Sequence, residues 1–149
     1  MSLSTQVMTA MKEAMKAKDQ NALTSLRAIK SAILLAQTET GAKEEITEEQ
    51  ELKLLQKLVK QRKDSAAIFA EQGRNDLADP EIAQAEVISQ FLPEQMSEAD
   101  VTKVVDEIIA ATGAQGMKDM GKVMGQVNAR LTGKADGKTI STIVKARLS

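Results

Sequence analysis

Lysines recur beside glycines at two places near the C-terminal end, Asp119-Met120-Gly121-Lys122-Val123-Met124-Gly125 and Gly133-Lys134-Ala135-Asp136-Gly137-Lys138. An ammonium group holds an anion as a compact point charge, and glycine lets another backbone or a ligand come close. Lys118 and Arg130 extend the same basic run. Residues 113–149 carry seven Lys or Arg against Asp119 and Asp136, a net of +5, so the remainder of the chain carries −6. Charge segregated in this way concerns anionic partners rather than fold. These residue types suit holding an anion, and no catalytic residue type stands beside them.

The inventory narrows the chemistry further. Cys and His are both missing from the 149 residues, which excludes a thiol nucleophile, an imidazole base, a disulfide and a Cys/His zinc site. The carboxylate pairs Glu44/Glu45 and Glu48/Glu49 lie in a solvated, like-charged run with nothing apolar to raise a pKa, so they are weak acid/base candidates. Gly133 to Thr139 places three residues between its glycines, where a nucleotide phosphate loop needs four, and Asp136 would turn a carboxylate towards the phosphates. No catalytic residue, metal site or cofactor is assigned.

Each basic candidate has a structural reading beside the functional one. Gly133 suits the left-handed position after a helix and Asp136 the N-cap of the next, a tight turn. The same turn would gather Lys134, Lys138 and a positive helix N-terminus on one spot, with Gly133 and Gly137 letting a backbone approach. Gly121 and Gly125 share a helix face, at a cost of roughly 1 kcal/mol each against Ala. Close approach of a neighbouring helix is expected there; the alternative is a ligand backbone beside Lys118 and Lys122.

A second basic cluster surrounds Arg62, which falls in phase with core positions between Lys60 and Lys63, while Arg27 and Lys30 flank the inner stripe of the preceding helix. It reads as an arginine bridging helices through Asp64 or Glu86, or as a phosphate-gripping groove between the second and third helices. Methionines at 8, 11, 15, 117, 120 and 124 sit at helical spacing and serve either as core filler or as an adaptable groove. Lys12, Lys16 and Lys18 would suit a membrane surface, but Glu13 and moderate hydrophobicity oppose it.

The elements that must position these residues are helical. Hydrophobic residues make up 42%, charged residues 28% and aromatics 1%, so an all-α core of Leu, Ile, Val, Ala and Met is expected. Ser4 or Thr5 would cap a first helix with Val7, Met8, Met11 and Met15 inward, fading at Lys18-Asp19-Gln20-Asn21. Ala22, Leu26, Ile29, Ile33 and Ala36 stripe a second, ending at Gln37 to Gly41. Thr47-Glu48-Glu49-Gln50 fits a capping box for a third helix, carrying Leu52, Leu55, Val59, Ala66 and Phe69 and stopping near Gly73.

Asp79-Pro80 reads as the N-cap and first position of a fourth helix, with Asn75 to Ala78 as an alternative earlier turn. It would bury Ile82, Ala85, Ile88 and Leu92. Pro93-Glu94-Gln95-Met96 reads as a linker between an N-terminal helical domain of about four helices (1–93) and a three-helix C-terminal bundle (97–149). The bundle opens at Ser97 with Val101, Val104, Val105, Ile108 and Ile109, breaks at Gly113 and Gly116, and continues with helices at Met117 to Leu131 and Asp136 to Leu148. No apolar run approaches the roughly 18 residues of a membrane span, and no signal segment is apparent. A cytoplasmic location without membrane partners is expected.

Taken in order, Leu23-Thr24-Ser25-Leu26-Arg27-Ala28-Ile29-Lys30, Lys60-Gln61-Arg62-Lys63-Asp64-Ser65 with Phe69, Phe91-Leu92-Pro93, Asp119 through Gly125, and Gly133 through Gly137 with Ile140 and Val144 resemble the GatB/YqeY family. The chain looks close to its free-standing bacterial members. The resemblance implies an all-helical N-terminal part and a three-helix C-terminal domain similar to the tail of the B subunit of glutamine-dependent aspartyl/glutamyl-tRNA amidotransferase. That tail helps grip tRNA, while phosphorylation and amide transfer occur elsewhere. A carbon–nitrogen ligase label with glutamine as amido donor would follow by inheritance, yet no counterpart of the catalytic parts stands in this chain.

The expected function is therefore a non-catalytic tRNA-binding module, assisting an amidotransferase or another translation-related protein. Lys118, Lys122, Arg130, Lys134 and Lys138 would contact phosphates, with Gly133 and Gly137 admitting the backbones. Lacking aromatic stacking platforms, it would read shape and phosphate rather than bases. The competing expectation is a protein-interaction adaptor docking on an enzyme subunit.

Overall fold

Capping chemistry marks most of the helix boundaries. In the computed structural model, which describes residues 2–39 and 46–149, α1 (Leu3–Ala17) begins at Ser2, whose hydroxyl accepts from the Thr5 amide at 3.2 Å. The start precedes Ser4 and Thr5 because Leu3 is itself buried in the core. At the other end Lys18 adopts the left-handed conformation, φ 57°, and the amides of Lys18 and Asp19 return to the carbonyls of Met15 and Ala14. This is a Schellman closure with lysine where glycine is usual. Asp19 then caps α2 (Gln20–Glu39), its Oδ1 accepting from the Ala22 amide. Gly41, Glu44 and Glu45 lie outside the described residues.

α3 (Glu48–Glu71) opens on the expected capping box: the Gln50 amide donates to Thr47 Oγ1, and the Thr47 amide to Gln50 Oε1. It closes through Gly73, φ 73°, with the Arg74 amide reaching Phe69 and the Gly73 amide reaching Ala70. α4 (Asn75–Ser89) follows at once, so its start lies well before Asp79-Pro80. The completed turn delivers the chain at Arg74 already aimed into a helix, and a bidentate Arg74–Asp76 pair spans the helix start. Pro80 is accommodated inside α4 on its exposed side, with the loss of one helical donor.

The chain divides into two compact units, Met1–Leu92 and Pro93–Ser149. The first buries Leu3 and Val7 of α1, Leu23, Leu26, Ile29 and Ile33 of α2, Leu55 and Val59 of α3, and Ala85 and Ile88 of α4. Buried Ser25 is satisfied by donating to the Asn21 carbonyl. Met8 and Met15, expected inward, are 51% and 59% exposed. α1 instead turns Leu3, Val7 and Ala14 to the core, and Ala10, Ala14 and Ala17 line a recess with Ala22, Val87 and Phe91. Ile82 is also on the surface rather than inside.

The second unit packs α5 (Glu98–Thr112), α6 (Met120–Leu131) and α7 (Gly137–Leu148) around Val101, Val105, Val123, Val127, Ile140 and Val144, none more than 2% exposed. Ser97 caps α5 and Asp136 caps α7, as their spacing predicts. The expected helix from Met117 is regular only from Met120. Met117–Asp119 form a 3-10 turn, pinched where the Asp119 carboxylate accepts from the Gln115 amide at 2.9 Å. The segment after Pro93 is fastened inside this unit: Gln95 Nε2 donates to the Pro93 and Gly133 carbonyls, and the Met96 amide to the Lys134 carbonyl. No strand occurs among the described residues.

Candidate nucleic-acid interface

α6 is amphipathic because Val123, Val127 and Leu131 recur at helical spacing and are buried. The same spacing turns Gly121, Gly125 and Ala129 to solvent, and all three are exposed. A Cβ built at Gly121 or Gly125 would meet no neighbouring element within 4 Å. The expectation that a helix packs against these glycines is thus overturned. They leave a strip of nearly bare backbone, with Lys122 on the same outer surface and Lys118 on the turn that leads into the helix.

The turn between α6 and α7 treats its two glycines differently. Gly133 is buried with φ 80°, and its carbonyl accepts from Gln95 Nε2 at 2.7 Å. It shapes the turn and offers no approach to a ligand, a correction to its place among the candidates. Gly137 is exposed at the first position of α7, and a Cβ there would also meet nothing. The Asp136 carboxylate occupies the end of α7, accepting from the Thr139 amide at 2.6 Å. An anion seated on that helix end would face a carboxylate, so the helix N-terminus is not an anion cradle by itself. Lys134 and Lys138 extend from the turn into solvent.

Ion pairing sorts the cations. Arg130 Nη1 lies 3.3 Å from Glu107, and Arg147 grips Asp106 with two nitrogens at 2.7 and 2.9 Å. The Asp106 hydrogen bond and its charge hold the Arg147 guanidinium above its ordinary pKa. α5 therefore offsets two of the seven basic charges, and Arg130 is less available than the lysines. Among the described residues, Lys118, Lys122, Lys134 and Lys138 join no ion pair.

The second cluster is not assembled as a groove between α2 and α3. Arg62 donates from Nε to Gln84 Oε1 at 3.3 Å and from Nη1 to the Leu58 carbonyl at 3.2 Å. It bridges α3 to α4 through a neutral amide, in place of the expected Asp64 or Glu86. Asp64 pairs instead with Lys60 at 2.8 Å. Lys63 lines a recess against α4, Lys30 lines one against α1, and Arg27 is exposed on α2. Glu48 and Glu49 lie exposed in the first turn of α3, with Glu49 paired to Lys53.

Two further residues deepen the α6 surface without having been singled out in the sequence. Ala129 continues the glycine strip by one turn, and Asn128 presents an exposed amide beside it. The signal was the i+3 and i+4 spacing from Gly125.

The model of the YqeY-like protein family matches residues 4–148. The chain belongs to the YqeY-like family. Among curated proteins, this YqeY-like chain is 37% identical over 73 residues to the E subunit of the glutamyl-tRNA(Gln) amidotransferase of Thermococcus gammatolerans, a match that covers 46% of the chain but 12% of that relative. It is 40% identical over 82 residues to altered inheritance of mitochondria protein 41, mitochondrial, of Clavispora lusitaniae, covering 55% of the chain and 46% of the relative. The protein of the same name from Pyrenophora tritici-repentis is 30% identical over 127 residues, 84% of the chain and 68% of the relative. Two of these three matches thus span less than half of the relative's length.

Proposed function

We propose that this chain is a non-catalytic tRNA-binding module that assists an amidotransferase, a carbon–nitrogen ligase using glutamine as amido donor. The observation that carries the reading is the solvent-facing Gly121, Gly125 and Ala129 strip of α6 with unpaired Lys118 and Lys122 beside it. Glycine in an exposed helix costs about 1 kcal/mol against Ala, and no packed neighbour offsets that cost here. A ribose–phosphate backbone laid along the strip would come close to the helix while the lysines neutralise its phosphates. Lys134 and Lys138 extend the basic surface, and Asn128 suits a 2′-hydroxyl. The choice of tRNA leans on kinship with a protein whose name carries that RNA.

A cytoplasmic location goes with this reading. Among the described residues no helix is long and apolar enough to cross a membrane. The test is binding of total tRNA across a salt series. Tight low-salt binding should fall as salt rises, and Lys122→Glu with Lys134→Glu should weaken it and flatten the slope by roughly 0.7–0.9 for each phosphate no longer neutralised. An unchanged mobility of tRNA at low salt would end the reading.

A further inference from the structure

We propose that the open flank of the α1–α2 hairpin docks an acidic amphipathic helix of a partner protein. This flank belongs to the first unit and is independent of the RNA reading of the second. On one flank of the hairpin Ala10, Ala14, Ala22 and Leu26 line a recess beside Val87 of α4 and Phe91. Among the described residues nothing covers the other, where Met8, Met15 and Leu34 stand 51%, 59% and 55% exposed. Large apolar side chains gathered on one surface mark an interaction site rather than scattered exposure.

Charge then says what kind of partner fits. α1 and α2 together contain four cations, Lys12, Lys16, Arg27 and Lys30, and two carboxylates, Glu13 and Glu39. Lys16 pairs with Glu13 at 3.6 Å, and helical phase puts the other three cations, Lys12, Arg27 and Lys30, on or beside the Met8–Leu34 flank. Glu13 lines the opposite recess, and Glu39 falls in phase with Leu35 and Ala32, away from Leu34. The flank therefore interleaves apolar side chains with cations, Lys30 lying beside Met8 and Leu34. Its complement is a helix with an apolar stripe bordered by Asp or Glu.

Shape narrows the partner further. Ser4, Val7, Met8, Lys30, Ile33, Leu34 and Gln37 line a cleft of about 60 Å³ between the two helices. That is room for one aliphatic side chain, the knob of a third helix laid along the hairpin. A bilayer presents no such knob, and RNA phosphates gain nothing from two methionines and a leucine. Methionine's unbranched, polarisable chain adapts to the partner's side chains.

The experiment uses the full chain with its methionine methyls isotopically labelled. The probe is a designed helical peptide of roughly 18 residues, five turns, with leucines at i, i+3, i+4 and i+7 and glutamates elsewhere; its lysine counterpart is the control. The acidic peptide should shift the Met8 and Met15 methyl signals and leave Met117, Met120 and Met124 in place. Arg27→Glu with Lys30→Glu, and separately Leu34→Ser, should each weaken it about tenfold or more. All three positions are exposed, and an unchanged melting temperature verifies that each variant folds. Equal binding of both peptides, or unmoved Met8 and Met15 signals, would overturn the proposal. So would the same signals responding instead to phosphatidylglycerol vesicles, to total tRNA, or to concentration-dependent self-association.

Discussion

Gly121 and Gly125 show how much a residue's meaning depends on what stands opposite it. Their spacing puts them on one face from the sequence alone, but the sequence does not contain the empty space beyond that face. Close packing and open surface predict opposite responses to one methyl group. With no neighbouring element within 4 Å of either Cβ position, Gly125→Ala should stabilise the second unit by about 0.5–1 kcal/mol through helix propensity, and Gly121→Ala, in the first turn of α6, by less, both read as a higher melting temperature. The same variants should weaken tRNA binding, because the methyl lifts the ligand backbone off the strip. Stability and affinity moving in opposite directions is the signature; a loss of stability would restore the packing explanation. Arg130 makes a parallel point. It was legible as basic, but its Glu107 partner lies on another helix, so Arg130→Ala should lower affinity less than Lys122→Ala in the same titration.

At the scale of elements, local chemistry was readable wherever the signal and its response lie within one turn. Thr47 with Gln50, Ser97 and Asp136 all cap the helices their spacing announces. Asp79-Pro80 carries an equally local signal that was overridden, because the turn through Gly73 had already set the next helix running at Asn75. The exposed Met8 and Met15 were misplaced for a related reason. A broad apolar arc does not say which edge is buried, and α1 turns Leu3, Val7 and Ala14 to the core. Lys18 is the testable case among the boundaries, being the non-glycine residue with positive φ among those described. A side chain there costs roughly 1–2 kcal/mol, partly recovered by lysine's smaller unfolded-state entropy. Lys18→Gly should therefore raise stability by about 0.5–1 kcal/mol in chemical denaturation, whereas Thr47→Ala should lower it by about 1 kcal/mol.

For the whole molecule, the decisive fact is that the two units have separate cores with no residue in common. The candidate RNA surface is built entirely from the second, and the hairpin flank entirely from the first. Substitutions that share no partner combine additively to within a few tenths of a kcal/mol, so the two surfaces should respond to independent sets of changes. Lys122→Glu with Lys134→Glu should weaken tRNA binding and leave the acidic peptide's affinity unchanged. Arg27→Glu with Lys30→Glu should do the reverse. The combined variant should lose both activities by the sum of the separate effects, measured by anisotropy with each labelled ligand. The second pair also decides what Arg27 and Lys30 do. If they were part of one continuous phosphate-binding track, their reversal would weaken tRNA as much as the loss of Lys122, and adding salt would diminish both defects together. Independence would instead describe a chain that holds RNA with one unit and a protein helix with the other, the arrangement required to bring a nucleic acid to an enzyme that acts on it.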